Sequence, residues 1–296
     1  MPQVRLLRPD DVPAAQVLMA DTWSNLLKRQ TGMDISYPVR PAAWYVARLR
    51  HEPKGCLCVE EDGRIQGTAF CLSCGPVGWI GPMEVSPPMQ GRGYGTMLLE
   101  ALEVYLMSRG CKAVGLETMK DVSKNTDFYT GGGYAPEQDM LYLEKDWLEG
   151  HDGGRPADGR ADLKEVRRLG STIHPGFDPS KEFQMFEEMG TGRTLHGEGA
   201  AALLVLDPIP GSGKAYLRTV LTEGYHRLSE GVELVQRAER EALWAGARTI
   251  FTIVSSGSEL LPILLRGGYK PKGVDVRMMK GSFTRKHECH LFSWSG

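Results

Sequence analysis

The chain has almost no net charge, no long apolar run and few cysteines, and each shortage removes a class of function. Its 35 Lys and Arg stand against 37 Asp and Glu, a formal charge of −2. That balance offers no polyanion-binding surface, so no nucleic-acid partner is expected. No stretch approaches the ~18 consecutive apolar residues that a membrane span needs. The start, Met-Pro-Gln-Val-Arg-Leu-Leu-Arg-Pro-Asp-Asp, has no signal-peptide apolar core. A cytoplasmic protein outside the membrane is therefore expected.

Three lures fail. Cys56-x-Cys58 and Cys71-x-x-Cys74 suggest a zinc site, but Cys56 and Cys58 share one face of an apolar strand, where cysteine acts as a small hydrophobe. His287 and His290 lie three apart with no evident partner ligands, and no metal is expected. Gly211-Ser-Gly-Lys214 imitates a phosphate loop, but Pro208 stands where its first glycine belongs and Ala215 where Ser or Thr must follow the lysine.

What is present is a glycine-rich loop. Residues 85–95 read Val-Ser-Pro-Pro-Met-Gln-Gly-Arg-Gly-Tyr-Gly. A strand-like run enters this loop at Val85, and an apolar-periodic helix leaves it. Successive bare backbone N–H groups at the positive end of a helix dipole make a seat for a diphosphate. Glycine allows positive φ and lets the phosphate approach the backbone. The spacing of Gly91, Gly93 and Gly95 is not the dinucleotide fingerprint, which needs Gly-x-Gly-x-x-Gly.

Val-x-Pro followed by Gln-x-x-Gly-x-Gly resembles the acetyl-CoA motif of the GNAT N-acetyltransferase superfamily. Leu116-Glu117-Thr118, then Phe128-Tyr129 and Gly133-Tyr134, match later family features in the right order over roughly residues 3–147. The resemblance implies an α+β fold and acetyl-CoA as co-substrate. It implies that strands 79–85 and 113–118 splay apart to admit the pantetheine arm. Met83, Glu84 and Val85 would hold that arm by main-chain bonds. Gln90, Gly91, Arg92, Gly93, Tyr94, Gly95 and Thr96 would hold the diphosphate. The reaction implied is direct attack of an amine on the thioester. It needs a base for the amine proton, an oxyanion donor and a proton for the leaving thiolate. Tyr129 fits the last role. Glu117, twelve residues earlier as in the ribosomal-protein N-terminal acetyltransferases, and Glu84 are rival bases, with ordered water a third route. Val122 occupies the position where the family often carries Asn, and Asn125 comes three residues late.

The chain also repeats itself. At an offset of 136, Val85 falls on Leu221, Gln90 on His226, Gly93 on Ser229 and Gly95 on Gly231. Leu98, Leu102 and Leu106 fall on Leu234, Ala238 and Ala242, so one helical face is apolar in both copies. At an offset of 135, Gly132-Gly133-Tyr134 falls on Gly267-Gly268-Tyr269. Two tandem GNAT-like domains are expected, each a mixed, mostly antiparallel sheet flanked by helices. They would cover 1–148 and 161–296, with a Gly- and Pro-rich linker at 149–160. The second copy carries Leu228, Ser229 and Glu230 in its loop and Leu264 in place of Tyr129. It is expected to bind CoA poorly, to do no chemistry, to play a structural part and to add its tail to a sheet as an edge strand, with a divergent but working site as the alternative.

Within the first copy, strands are expected near 4–7, 55–60, 65–74, 79–85, 113–118 and 140–144, and helices near 12–27, 41–50, 95–108 and 126–131. The connection at 24–41, with Lys28, Arg29, Asp34, Tyr37 and Arg40, suits either a small polar acceptor or packing on the sheet, as do Trp44 and Tyr45. An N-acetyltransferase acting on a small-molecule or peptide amine is the leading function. A non-catalytic CoA-binding or regulatory protein is the alternative, and Tyr129 argues against it.

Overall fold

The computed structural model describes residues 1–147 and 161–292, so the expected linker at 149–160 lies outside the described residues. The first half runs β1 (Gln3–Leu6), α1 (Val12–Thr31), α2 (Ala42–His51), β2 (Cys56–Glu61), β3 (Arg64–Cys74), β4 (Val77–Val85), α3 (Tyr94–Ser108), β5 (Ala113–Met119), α4 (Ser123–Gly131) and β6 (Ala135–Asp146). The second half runs α5 (Leu163–Ile173), α6 (Ser180–Glu188), β7 (Gly192–Gly197), β8 (Ala200–Leu206), β9 (Lys214–Thr222), α7 (Leu228–Trp244), β10 (Thr249–Ser255), α8 (Leu261–Arg266), β11 (Lys270–Gly281) and β12 (Leu291–Phe292).

The two halves have matching local geometry. Gly110 and Gly246, each just past a long helix, have φ of 86° and 84°. That left-handed turn is the usual glycine end to a helix. After the short helices, Tyr134 N–H donates to Tyr129 O at 3.0 Å, and Tyr269 N–H donates to Leu264 O at 3.1 Å. In α3, Leu98, Leu102 and Leu106 are fully buried, and in α7 Leu234, Ala238 and Ala242 are buried at the matching positions. A 3.6-residue period puts each set on one face, against the sheet.

All the strands join one mixed sheet, in the order β1-β2-β3-β4-β5-β11-β6-β10-β9-β8-β7, with β12 on β9. The order shows a reciprocal exchange. β11 of the second half lies between β5 and β6, in register from Asp275 opposite Met119 to Gly281 opposite Ala113. β6 of the first half lies between β11 and β10, in register from Thr249 opposite Asp146 to Ser255 opposite Met140. Each half thus closes the other's sheet. The exchange explains why β6 begins at Ala135, five residues before the expected start. Ala-Pro-Glu-Gln-Asp has little strand character of its own, and pairing with β11 supplies it.

The core on the α3 face gathers Leu98, Leu102 and Leu116 with Val276 and Met278 of β11. The opposite face packs Trp79 and Met279 with Phe177 and Phe183 of the second half. Cys71 belongs to the first of these clusters and Cys74 to the second, while Cys56 and Cys58 pack with Phe70. The four cysteines therefore fall in three clusters as small core residues.

Candidate active site

The site begins where two parallel strands part. β4 and β5 pair at only three positions, Val77 with Ala113, Gly78 with Val114 and Trp79 with Gly115. β4 then runs on to Val85 and β5 to Met119 without pairing to each other. Packing at the last paired position is tight, since a Cβ added to Gly115 would lie 2.2 Å from the Trp79 ring. Past the fork, β4 has β3 on one edge. Among the described residues, no strand takes its other edge over 80–85. That edge keeps its N–H and C=O groups for a bound chain, as an exposed sheet edge does.

At the far end of β4, Gly91 and Gly93 have φ of 80° and 88°. A Cβ on either would meet nothing within 4 Å, so conformation rather than crowding calls for glycine here. Gly93 caps α3, whose first bond runs from Met97 N–H to Gly93 O at 3.0 Å. The amides before Met97 have no acceptor within the helix and lie at its positive end. Gln90 turns its side chain back onto Val85 O at 3.1 Å and fixes the loop to the strand end.

These pieces surround one cleft of about 1170 Å³. Of the expected cofactor-binding residues, Met83, Glu84, Val85, Gln90, Gly91, Gly93, Gly95, Thr96 and Tyr129 line it. Arg92 and Tyr94 do not. Arg92 lies against the Met89 sulfur, and the Tyr94 ring is buried, its hydroxyl donating to Glu61 at 2.6 Å. Asn125 lines the cleft, and so does Val122. The asparagine reaches the space although it comes three residues late, because α4 begins at Ser123. From α1 come Trp23, Arg29 and Gln30. α1 runs on to Thr31, where Gly32 caps it at φ 73°, and so brings these side chains over the sheet.

Tyr129 is half-buried on α4, edge-on to Phe128 (4.9 Å between centroids) and Tyr134 (6.1 Å). Among the described residues its hydroxyl has no hydrogen-bond partner. Burial, with the nearby Glu84 carboxylate in support, pushes the phenol well above its usual range. Burial thus holds the proton on this phenol across the physiological range.

The two carboxylates expected as rival bases are both committed to arginines. Glu84 is 2% exposed, and its Oε1 accepts from Arg40 Nη1 at 3.1 Å while Oε2 accepts from Thr68 Oγ1 at 3.1 Å. Arg40 lies over the Trp44 ring at 4.6 Å, and Trp23 stacks on Tyr37 at 5.4 Å. Glu84 thereby pins the α1–α2 connection over the cleft. The Glu117 side chain has no exposed surface, and Arg277 of β11 donates to its Oε1 from Nη2 at 2.7 Å and Nε at 3.1 Å. The second half therefore builds part of this site. Asp275 of β11 also lines the cleft. Sequence spacing carries no signal for it, since it lies more than 140 residues from Tyr129 and arrives only through strand exchange.

The matching gap in the second half is filled by the chain itself. β9 and β10 pair from Lys214 opposite Thr249 to Leu217 opposite Thr252 and then part. β12 takes the vacated edge of β9, with Leu291 opposite Val220 and Phe292 opposite Thr219. The tail is tied to both walls. Cys289 O accepts from Thr222 Oγ1 at 2.5 Å, His290 O from Ser258 Oγ at 2.8 Å and Glu288 O from Glu259 N–H at 3.0 Å. The expected tail strand is present, inside the fork of β9 and β10.

The forked parallel pair, the glycine-rich loop and the start of α3 together offer a free strand edge and an anion seat on one cleft. Residues 20–134 match the model of the acetyltransferase (GNAT) family. An acetyltransferase of Yersinia enterocolitica is 30% identical over 98 residues, 33% of this chain and 69% of that protein, and one of Yersinia pestis matches equally. The chain belongs to the GNAT acetyltransferase family. Among solved structures, a chain from Pyrococcus horikoshii superposes with a TM-score of 0.73 at 16% identity, over all of this chain and 94% of that one. A GCN5-related N-acetyltransferase from Sphaerobacter thermophilus gives 0.64 at 15% identity, over 95% of each chain. A tandem GNAT protein from the clavulanic acid biosynthesis pathway gives 0.60 at 14% identity, over 95% of this chain and 98% of that one. These three share the fold, and the third is described as a tandem GNAT protein.

Proposed function

We propose that the protein is an acetyl-CoA-dependent N-acetyltransferase with one working site, in the first half, acting on a primary amine of a small molecule or peptide. The partition that goes with this reading is 1–148 for the working domain, 149–160 for the linker and 161–296 for the degenerate domain. The observation that carries it is the contrast between the two forks. The first keeps a free strand edge, a loop with two left-handed glycines and a cleft large enough for a cofactor. The second is closed by β12.

In this reading, free backbone groups over 80–85 pair with the pantetheine arm. The amides at the start of α3 hold the diphosphate. The amine attacks the thioester carbon directly, and a β4 amide at the fork steadies the oxyanion. Tyr129 gives its proton to the leaving sulfur. Glu84 and Glu117 act by position, the first holding the acceptor wall through Arg40 and the second holding β11 through Arg277. Their ion pairs would have to break before either could take a proton. The alternative, a CoA-binding protein without chemistry, leaves Tyr129 without a task.

Calorimetric titration of acetyl-CoA into the full-length protein tests this. One saturable site per chain, lost in Gly93→Glu, is the expected result. Absence of binding would leave the fold without its cofactor and sink the proposal. Two sites would mean that β12 does not close the second fork.

A further inference from the structure

The cleft has a second mouth. Beside it lies a recess of about 450 Å³ lined by Gln30 at the end of α1, Met119 at the end of β5, Lys120, Asp121, and Gly273, Val274 and Asp275 of β11. Gln30, Met119, Asp121 and Asp275 line both spaces, so the two adjoin. The recess opens past the tip of β5, away from the glycine loop that begins at Gln90. A co-substrate lying between the loop and the fork leaves this recess for the acceptor.

Asp275 stands where the two spaces meet, opposite Met119 in the ladder. It is half-buried, and among the described residues its carboxylate has no hydrogen-bond or ion-pair partner. Lys124 and Glu84 line the larger space with it. Arg277, two residues on and on the same strand face, is bound to Glu117. Lys120 is bound to Asp139 of β6. Asp121 and Glu117 add negative potential, and Arg29 of α1 lines the larger space.

We propose that Asp275, carried into the first half's cleft on the exchanged strand of the second half, is the base that takes the proton of the acceptor amine. This rests on the acetyl-transfer reading above. As the amine nitrogen bonds to the thioester carbon and the carbon–sulfur bond breaks, one N–H proton passes to the Asp275 carboxylate. The Tyr129 proton passes to the sulfur, and the proton on Asp275 returns to the phenolate through solvent. The products are the amide and free CoA, with both side chains restored. Burial, reinforced by Glu117 and Asp121, pushes the Asp275 carboxyl up to about 6. A base near that value is ionised at neutral pH and accepts a proton more readily than an ordinary carboxylate.

The test uses full-length protein, acetyl-CoA and a panel of primary amines, amino acids, peptides and aminoglycosides, with free thiol as the readout. In the wild type, kcat at saturating amine, which does not carry the ionisation of the free amine, should fall tenfold per pH unit below about pH 6. Asp275→Asn should bind acetyl-CoA as the wild type does and lose this acid limb. Its kcat should fall on the order of 10²-fold, the usual worth of a positioned base. Asp275→Glu should recover at least a tenfold part of that loss if the carboxylate is what matters. An Asp275→Asn enzyme that keeps the wild-type kcat and acid limb overturns this proposal alone. Wild-type protein that fails to bind acetyl-CoA overturns the acetyl-transfer reading and this one with it.

Discussion

Tyr129 and the Glu117–Arg277 pair are side chains of different kinds, and they predict different failures. The Tyr129 phenol is held protonated by burial, with no partner for its hydroxyl among the described residues. Tyr129→Phe should therefore bind acetyl-CoA normally and turn over on the order of 10²-fold more slowly, since a positioned acid contributes about 10²–10⁴. Unchanged turnover would remove it from the mechanism. Arg277→Met leaves Glu117 buried without its cation, which should cost about 3–5 kcal/mol. For a chain of this size that lowers the melting temperature by at least ~6 °C, as scanning calorimetry would show. Replacing Glu117 by Gln as well should recover most of the loss, because the charge that needed a partner is then gone. Asp275 gives a pH signature of stability. Its carboxyl is raised from an ordinary 3.8 to about 6, so folding favours the protonated form. Stability is full below the unfolded value and is lost as pH rises through 4 to 6. Asp275→Asn should melt higher than the wild type at pH 7.5, with the gap closing below about pH 4.

At the scale of elements, the exchange of β6 and β11 decides what can be cut. A fragment of residues 1–147 keeps the glycine loop and Tyr129 but loses β11. The inner edge of β5 is then bare, and Glu117 is buried without Arg277. An unpaired apolar edge invites aggregation. The expected result is a fragment that is insoluble or molten by circular dichroism and that shows no acetyl transfer. A well-folded, active fragment would show that β11 is dispensable. Sequence patterning placed most first-half elements within a few residues, because α3 has a clear 3.6 period and the strands are bounded by glycine and proline. It stopped α1 at residue 27, since Lys28-Arg29-Gln30-Thr31 lacks an apolar face to extend. The cap at Gly32 shows where the turn lies. It also missed the first five residues of β6, whose strand form comes from a partner strand more than 130 residues away.

At the scale of the whole molecule, the proposal of one working site rests on how the two copies join. The second half fills its own fork with β12 and sends β11 into the first half's sheet, carrying Arg277 and Asp275. A stoichiometry of one acetyl-CoA per chain follows, and mass spectrometry of the native complex would read it directly. Much of this architecture was already legible in the residues. The glycine loop, the two-copy repeat, the loss of the loop in the second copy and the tyrosine at position 129 are local features. Backbone conformational preference and helical periodicity act within a few residues, so they can be read along the chain. Which strands of the two halves pair, that Glu117 finds Arg277 and that Asp275 reaches the cleft depend on contacts across more than a hundred residues. Those were decided only in the tertiary structure, because hydrogen bonding between exchanged strands sets a register that no local pattern encodes.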